Sequence, residues 1–162
     1  MSWKAWQWIV LAAFLLLCLA VGGIAGYWTE PAVAGWYRQI AKPSWTPPDW
    51  LFGPVWTTLY VLIGIAGWQV WRSRDSSAGN PALMFWSAQL AVNFIWSPLF
   101  FGMQAIGWAL IDILILWFLI GGFILAARRI SSPAALLFVP YWLWVSYAGA
   151  LNFAIWTLNP AQ

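Results

Sequence analysis

Histidine is absent from this chain, cysteine occurs once, and seven basic and four acidic residues carry its only side-chain charges. Without histidine there is no imidazole base, no imidazole metal ligand and no histidine-ligated haem. The lone Cys18 excludes an internal disulfide and any multi-cysteine metal centre. Paired carboxylates, a Walker-type glycine loop and zinc-ligand spacing are missing too, so no catalytic residue, no metal site and no required cofactor are expected. Charged residues make up 7% of the 162, against 64% hydrophobic, a balance far outside that of soluble domains. The chain reads as a membrane protein.

What it has in abundance is apolar sequence in long runs. Five stretches, Trp6 to Tyr27, Phe52 to Trp71, Leu83 to Phe101, Ile106 to Ala127 and Ala134 to Leu158, are each long enough as helices to cross about 30 Å of hydrocarbon. Runs such as FLLLCLAVGGIAG show none of the alternation of barrel strands. The expected fold is therefore all-α, one domain of five transmembrane helices. The first stretch has a basic residue, Lys4, ahead of an apolar core, as a secretory signal does; its extension to Tyr27 and the small-residue pair Gly22 and Gly26 favour a retained span. Asn80 with Pro81, and Ser132 with Pro133, read as N-cap and first-turn proline of the third and fifth spans. Asp49 lies close enough to the second span to favour the positive end of its dipole.

Lys4, Arg72, Arg74, Arg128 and Arg129 fall on the amino-terminal side, and only Arg38 and Lys42 on the other. This bias predicts a cytoplasmic amino terminus. The net charge of +3 requires no nucleic-acid partner, because both arginine pairs sit at span ends beside lipid headgroups.

One connection, from Trp28 to Leu51, has room for function. Its PAVAGWYRQIAK portion predicts a short amphipathic helix at the membrane surface, with Trp36 and Tyr37 at headgroup depth. KPSWTPPDW follows, with three prolines and two tryptophans in nine residues, which is neither helix interior nor paired strand but a rigid, shaped loop.

Tryptophan is the compositional extreme, 17 residues. Trp3, Trp6, Trp8, Trp28, Trp36, Trp68 and Trp71 lie near span ends and fit an interfacial belt. Trp96 and Trp144 lie well inside their spans. Trp144 shares a helical face with Pro140, Ala148 and Asn152; Trp96 shares one with Phe100, beside Asn93 and Ser97. Large rings, one small residue and sparse polar groups suit a pocket for a flat apolar ligand, and the same spacing suits ordinary helix packing. Pro98 and Pro140 inside spans each free a carbonyl and predict kinks. Asp112 is the one charge within the five stretches; it reads as a structural group near the short GMQA turn, with a proton relay as the alternative.

Four blocks, WYRQIAKPSWTPPDWLFGPVWTTLY, NFIWSPLFFG, GWALIDILIL and VPYWLWVSYAGALNFAIWTLN, occur in this order and resemble the signature blocks of the translocator protein family, also known as the tryptophan-rich sensory protein or peripheral benzodiazepine receptor family. The resemblance runs from about Gly22 to Asn159. It implies a five-helix bundle, commonly a homodimer, whose cavity is covered by the loop between the first two spans. It also implies a membrane receptor or sensor that binds tetrapyrroles such as protoporphyrin IX, with drug-like benzodiazepine-type compounds and membrane lipid as further partners. By position the pocket would take Tyr37 and Pro47 from the loop, Trp56 from the second span, Trp96, Ser97 and Phe100 from the third, and Trp144, Ala148 and Asn152 from the fifth. Trp56 and Trp144 match the tryptophans linked in this family to light-dependent porphyrin breakdown. A porphyrin transporter and a porphyrin-degrading protein are the alternative functions. The chain departs from the family's animal members at the cholesterol motif, where Phe153 and Thr157 stand in place of tyrosine and arginine, so tight sterol binding is not expected. A bacterial cell-membrane protein fits the short chain.

Overall fold

Residues 3–75 and 79–160 are described by a computed structural model, and among them the structure is helical, without strands. The elements are α1 (Trp3–Ala34), α2 (Trp36–Gln39), α3 (Asp49–Trp71), α4 (Gly79–Ser97) running into a π-helical turn (Pro98–Gly102), α5 (Ile106–Ala127) and α6 (Ser132–Leu158). Five of these helices are long and apolar enough to cross a membrane. Lipid surrounds the bundle, so each helix is apolar on nearly every side rather than along one stripe. Leu16, Leu17 and Tyr27 of α1, Phe118 of α5 and Leu136 of α6 are accordingly exposed.

The helices close into a ring, α1 against α3, α3 against α6, α6 against α5, α5 against α4, and α4 with its π turn back against α1. Hydrophobic burial adds little between helices already in lipid, so the ring depends on close packing and on hydrogen bonds between helices. Phe123 and Phe138 pack with ring centroids 3.8 Å apart between α5 and α6. Trp86 of α4 donates its indole N–H to the carbonyl of Ile63 on α3 at 2.9 Å.

The small-residue pair of α1 divides its work. A Cβ at Gly22 would lie 2.4 Å from ring carbons of Tyr60, so only glycine lets α1 and α3 approach here, whereas Gly26 faces open space. The Ser87 and Ala91 pair is exposed on the outer face of α4 instead of packing inside the bundle.

Several boundaries differ from the sequence reading. The first helix runs on to Ala34, because Pro31 falls near its end and leaves the preceding turns intact. A surface helix over PAVAGWYRQIAK is therefore not formed: only Trp36–Gln39 is helical after the break at Gly35, and Tyr37 is buried against the bundle, 5% exposed. Its ring packs on Phe100 and Phe101, which the π turn pushes toward the loop. The cap of α6 is Ser131, not Ser132; its hydroxyl accepts the amide of Ala134 and leaves Pro133 in the first turn. The third span starts at Gly79, and the side chains of Trp3, Lys4 and Asn80, which carried a belt, an orientation and a cap expectation, lie outside the described residues.

Pro98 does more than kink its helix. The amide of Met103 reaches back to the carbonyl of Pro98 at 2.8 Å, a wide turn that ends α4 and is followed by Gln104 at a positive φ of 55°. At the opposite end of the bundle, Arg72 and Arg74 lie over the rings of Trp68 and Trp71 at 5.1 and 4.1 Å, an arrangement suited to headgroup depth.

Candidate functional site

The ring of helices does not fill its centre. A cavity of about 740 Å³ is walled by α1, α3, α4, α5 and α6, and Tyr37 and Arg38 line it from the connection between α1 and α3. Small residues, Gly22, Gly26 and Thr29 on α1 and Gly53 and Thr57 on α3, are among its lining and leave it room.

Two of its lining residues, Tyr60 and Asn93, belong to a chain of buried hydrogen bonds joining three helices. Tyr60 on α3 donates to the Asn93 side-chain oxygen at 2.5 Å, and the Asn93 amide donates to the Tyr141 hydroxyl at 3.0 Å. Tyr141 on α6 in turn donates to Gln89 at 3.0 Å, and Gln89 to the Trp86 carbonyl at 2.9 Å. Each hydroxyl proton has one acceptor, so the polar atoms are satisfied where water is scarce.

One wall is built on α4 and its π turn. Trp96 stacks on Phe100, centroids 4.9 Å apart and planes 18° from parallel, and its indole N–H donates to Asn152 at 3.1 Å. Asn152, 1% exposed, donates its own amide to the carbonyl of Ile106, at the start of α5, at 3.0 Å. This carbonyl and the indole donor are both satisfied by one side chain of α6. The facing wall carries Trp56, 5.7 Å from Tyr60 and 6.2 Å from Tyr141, and Trp144, 6.0 Å from Phe52. The Trp144 indole nitrogen is buried and has no hydrogen-bond partner among the described residues.

The loop between α1 and α3 is tied to the bundle at two points. Asn159 at the end of α6 accepts the Ala41 amide at 3.1 Å and donates to the Ala41 carbonyl at 3.0 Å. Tyr147 donates its hydroxyl to the Trp45 carbonyl at 2.7 Å while the two rings meet edge to face. Within the loop, the Thr46 hydroxyl and amide both bond the Pro43 carbonyl, closing a turn. Lys42 donates to the carbonyls of Tyr37 and Ile40 and lies over the Tyr37 ring. Burial, with Asp49 and Tyr147 adding repulsion, pushes the Tyr37 hydroxyl up to about 12.

Eight of the nine residues expected at the site, Tyr37, Trp56, Trp96, Ser97, Phe100, Trp144, Ala148 and Asn152, line this one cavity. Pro47 does not. It sits with Pro48 in the extended run into α3, where Pro48 has φ −64° and ψ 143°, so it shapes the loop and leaves the lining to Tyr37. Tyr60, Asn93 and Phe52 line the cavity and were not singled out as site residues; Tyr60 falls one turn after Trp56 on the same face, a signal the spacing rule carries. Asp112 is 8% exposed, and its Oδ2 has no hydrogen-bond partner among the described residues.

Chemically, the site offers aromatic faces and, in Tyr60 and Asn93, polar groups fixed by hydrogen bonds. No group of three or more histidine, cysteine, aspartate or glutamate side chains among the described residues is placed to hold a metal ion. Rings from three helices around a void of this size are equipped to sandwich a large flat molecule.

Comparison with known proteins gives one consistent result. Residues 14–157 match the model of the TspO/MBR family. The chain is 46% identical to the tryptophan-rich protein TspO of Chlorobaculum tepidum, across 95% of this chain and 98% of that protein. It is 35% identical to the translocator protein of Bos taurus, across 96% and 93%, and 35% identical to the tryptophan-rich sensory protein of Cereibacter sphaeroides, across 94% and 93%.

Proposed function

The chain belongs to the TspO/MBR family, and from that premise we propose that it is a receptor or sensor that binds a tetrapyrrole such as protoporphyrin IX in the cavity under the α1–α3 loop. It is an integral, multi-pass membrane protein. The observation that carries the ligand reading is the wall of Trp56, Trp96, Phe100 and Trp144 around about 740 Å³. A planar macrocycle buries its faces against such rings, while its polar edges need few partners. The proline-rich cover supports the same reading, since a loop already held in shape loses little entropy when a ligand settles under it.

Binding is favoured over turnover because the lining offers no acid, base or nucleophile arranged as a pair within hydrogen-bond reach. The relatives are named translocator and sensory proteins, which fits a binding role. The arginines stacked on Trp68 and Trp71, with Arg128 and Arg129 after α5, support an orientation with the amino terminus in the cytoplasm of a bacterial cell. Ser87 and Ala91, exposed on α4, form a small-residue pair of the kind that lets helices approach, which supports a homodimer.

The test is titration of detergent-solubilised protein with protoporphyrin IX, followed by the porphyrin's absorbance and fluorescence. Saturation near one site per chain, weakened in Trp144→Ala and Trp56→Ala, is expected. Uptake that never saturates and is the same in all three proteins would mean partition into the micelle, and would refute the assignment.

A further inference from the structure

Charge enters the cavity only at its mouth, where Glu30 at the end of α1, Arg38 on α2 and Asp49 at the start of α3 are exposed and line the opening. Arg38 is the one cation among them. Lys42, the other base of the loop, is engaged by the Tyr37 and Ile40 carbonyls and the Tyr37 ring. The ion pair within 4.0 Å among the described residues is Arg74 with Asp75, at the far end of the bundle, so neither mouth carboxylate pairs with Arg38. Asp49 has a separate reason to be there, in the first turn of α3, where the helix dipole favours a carboxylate.

An unpaired guanidinium at the rim of an apolar cavity is matched by one kind of ligand: a body that enters and an acid that stays outside. We propose that Arg38 is the specificity residue that selects ligands bearing a carboxylate at one edge. The inference rests on the cavity binding a tetrapyrrole-like body, and names the group by which that body is oriented. The planar fork of arginine takes a carboxylate with two parallel hydrogen bonds, which an ester oxygen pair without charge does not reproduce. Glu30 and Asp49 repel the same acid, so they limit the preference and give it a sign that mutation can reverse.

The experiment compares protoporphyrin IX with its dimethyl ester on the full chain in detergent, at low salt. The unaltered protein should bind the free acid more tightly than the ester, and Arg38→Gln should weaken the acid by roughly tenfold while leaving the ester unchanged. Arg38→Lys should restore part of the loss, and Asp49→Asn should tighten the acid alone. The ester is the control for folding and for the cavity itself. Equal effects of Arg38→Gln on acid and ester, or no effect on either, would overturn the role of Arg38 while the cavity reading stands. Failure of both porphyrins to saturate the unaltered protein would overturn the two together.

Discussion

Removing one hydroxyl from the cover's second tie should loosen the loop without moving the helices. In Tyr147→Phe the edge-to-face contact with Trp45 at 5.6 Å is retained, and only the 2.7 Å bond to the Trp45 carbonyl is lost. A bond of this kind contributes about 1 kcal/mol net, so local opening of the loop should become roughly fivefold more frequent. Asn159→Ala removes two bonds to Ala41 and should raise opening by roughly thirtyfold, on the basis of about 1 kcal/mol for each. The assay is hydrogen exchange by mass spectrometry on peptides spanning residues 40–50, with peptides from the centre of α3 as the internal reference. Faster exchange confined to the loop, ordered as Tyr147→Phe, then Asn159→Ala, then the double variant, is expected. Unchanged loop exchange in the double variant would show that these bonds do not hold the cover. Equal acceleration in α3 would show that they hold the bundle instead. With protoporphyrin IX bound, the same series should release ligand faster in the same order.

The remaining expectations concern packing, the polar wall and the loop's one shifted group. Gly22→Ala should cost about 1–3 kcal/mol, because the new methyl meets a Tyr60 ring fixed by Asn93; Gly26→Ala, facing open space, should be neutral or slightly stabilising, and thermal melts in detergent separate the two. Asn152→Leu keeps the branched shape but strands the Trp96 indole donor and the Ile106 carbonyl, and should lower stability by about 1–3 kcal/mol; a melt matching the unaltered protein would show that these groups find other partners. Tyr37 favours its neutral form when the loop is closed, so its contribution is present below the ordinary tyrosine value near 10 and is lost as pH rises toward 12. The difference in tyrosinate absorbance between the unaltered protein and Tyr37→Phe should develop near pH 12; a difference that develops near 10 would show that the Tyr37 hydroxyl is not shifted.

Much of the fold was legible because lipid imposes a requirement that sequence alone displays. A span must be long, apolar and helical, and the five hydropathic stretches match the helices to within a few residues at most ends. The inward faces were legible too: Trp144, Ala148 and Asn152 recur every fourth residue, and so line one side of α6. The loop was harder. PAVAGWYRQIAK has the composition of an interfacial helix, and nothing local announces that Phe100 and Phe101 will be swung beneath it by a π turn that starts at Pro98. The cap at Ser131 rather than Ser132 is a one-residue choice between identical side chains, decided by which hydroxyl reaches the Ala134 amide.

By itself, then, the sequence determined that this is a membrane bundle of five helices, that its working loop lies between the first two, and which residues on each helix point together. Only the tertiary structure decided that Gly22 is a contact and Gly26 a void, that Pro47 shapes the loop while Tyr37 lines the cavity, and that Tyr60, Asn93 and Tyr141 form one hydrogen-bonded network. Hydropathy and helical period are properties of neighbours along the chain. This network and the loop ties join residues 33, 48 and 118 positions apart, and such pairs are fixed by how whole helices pack against one another.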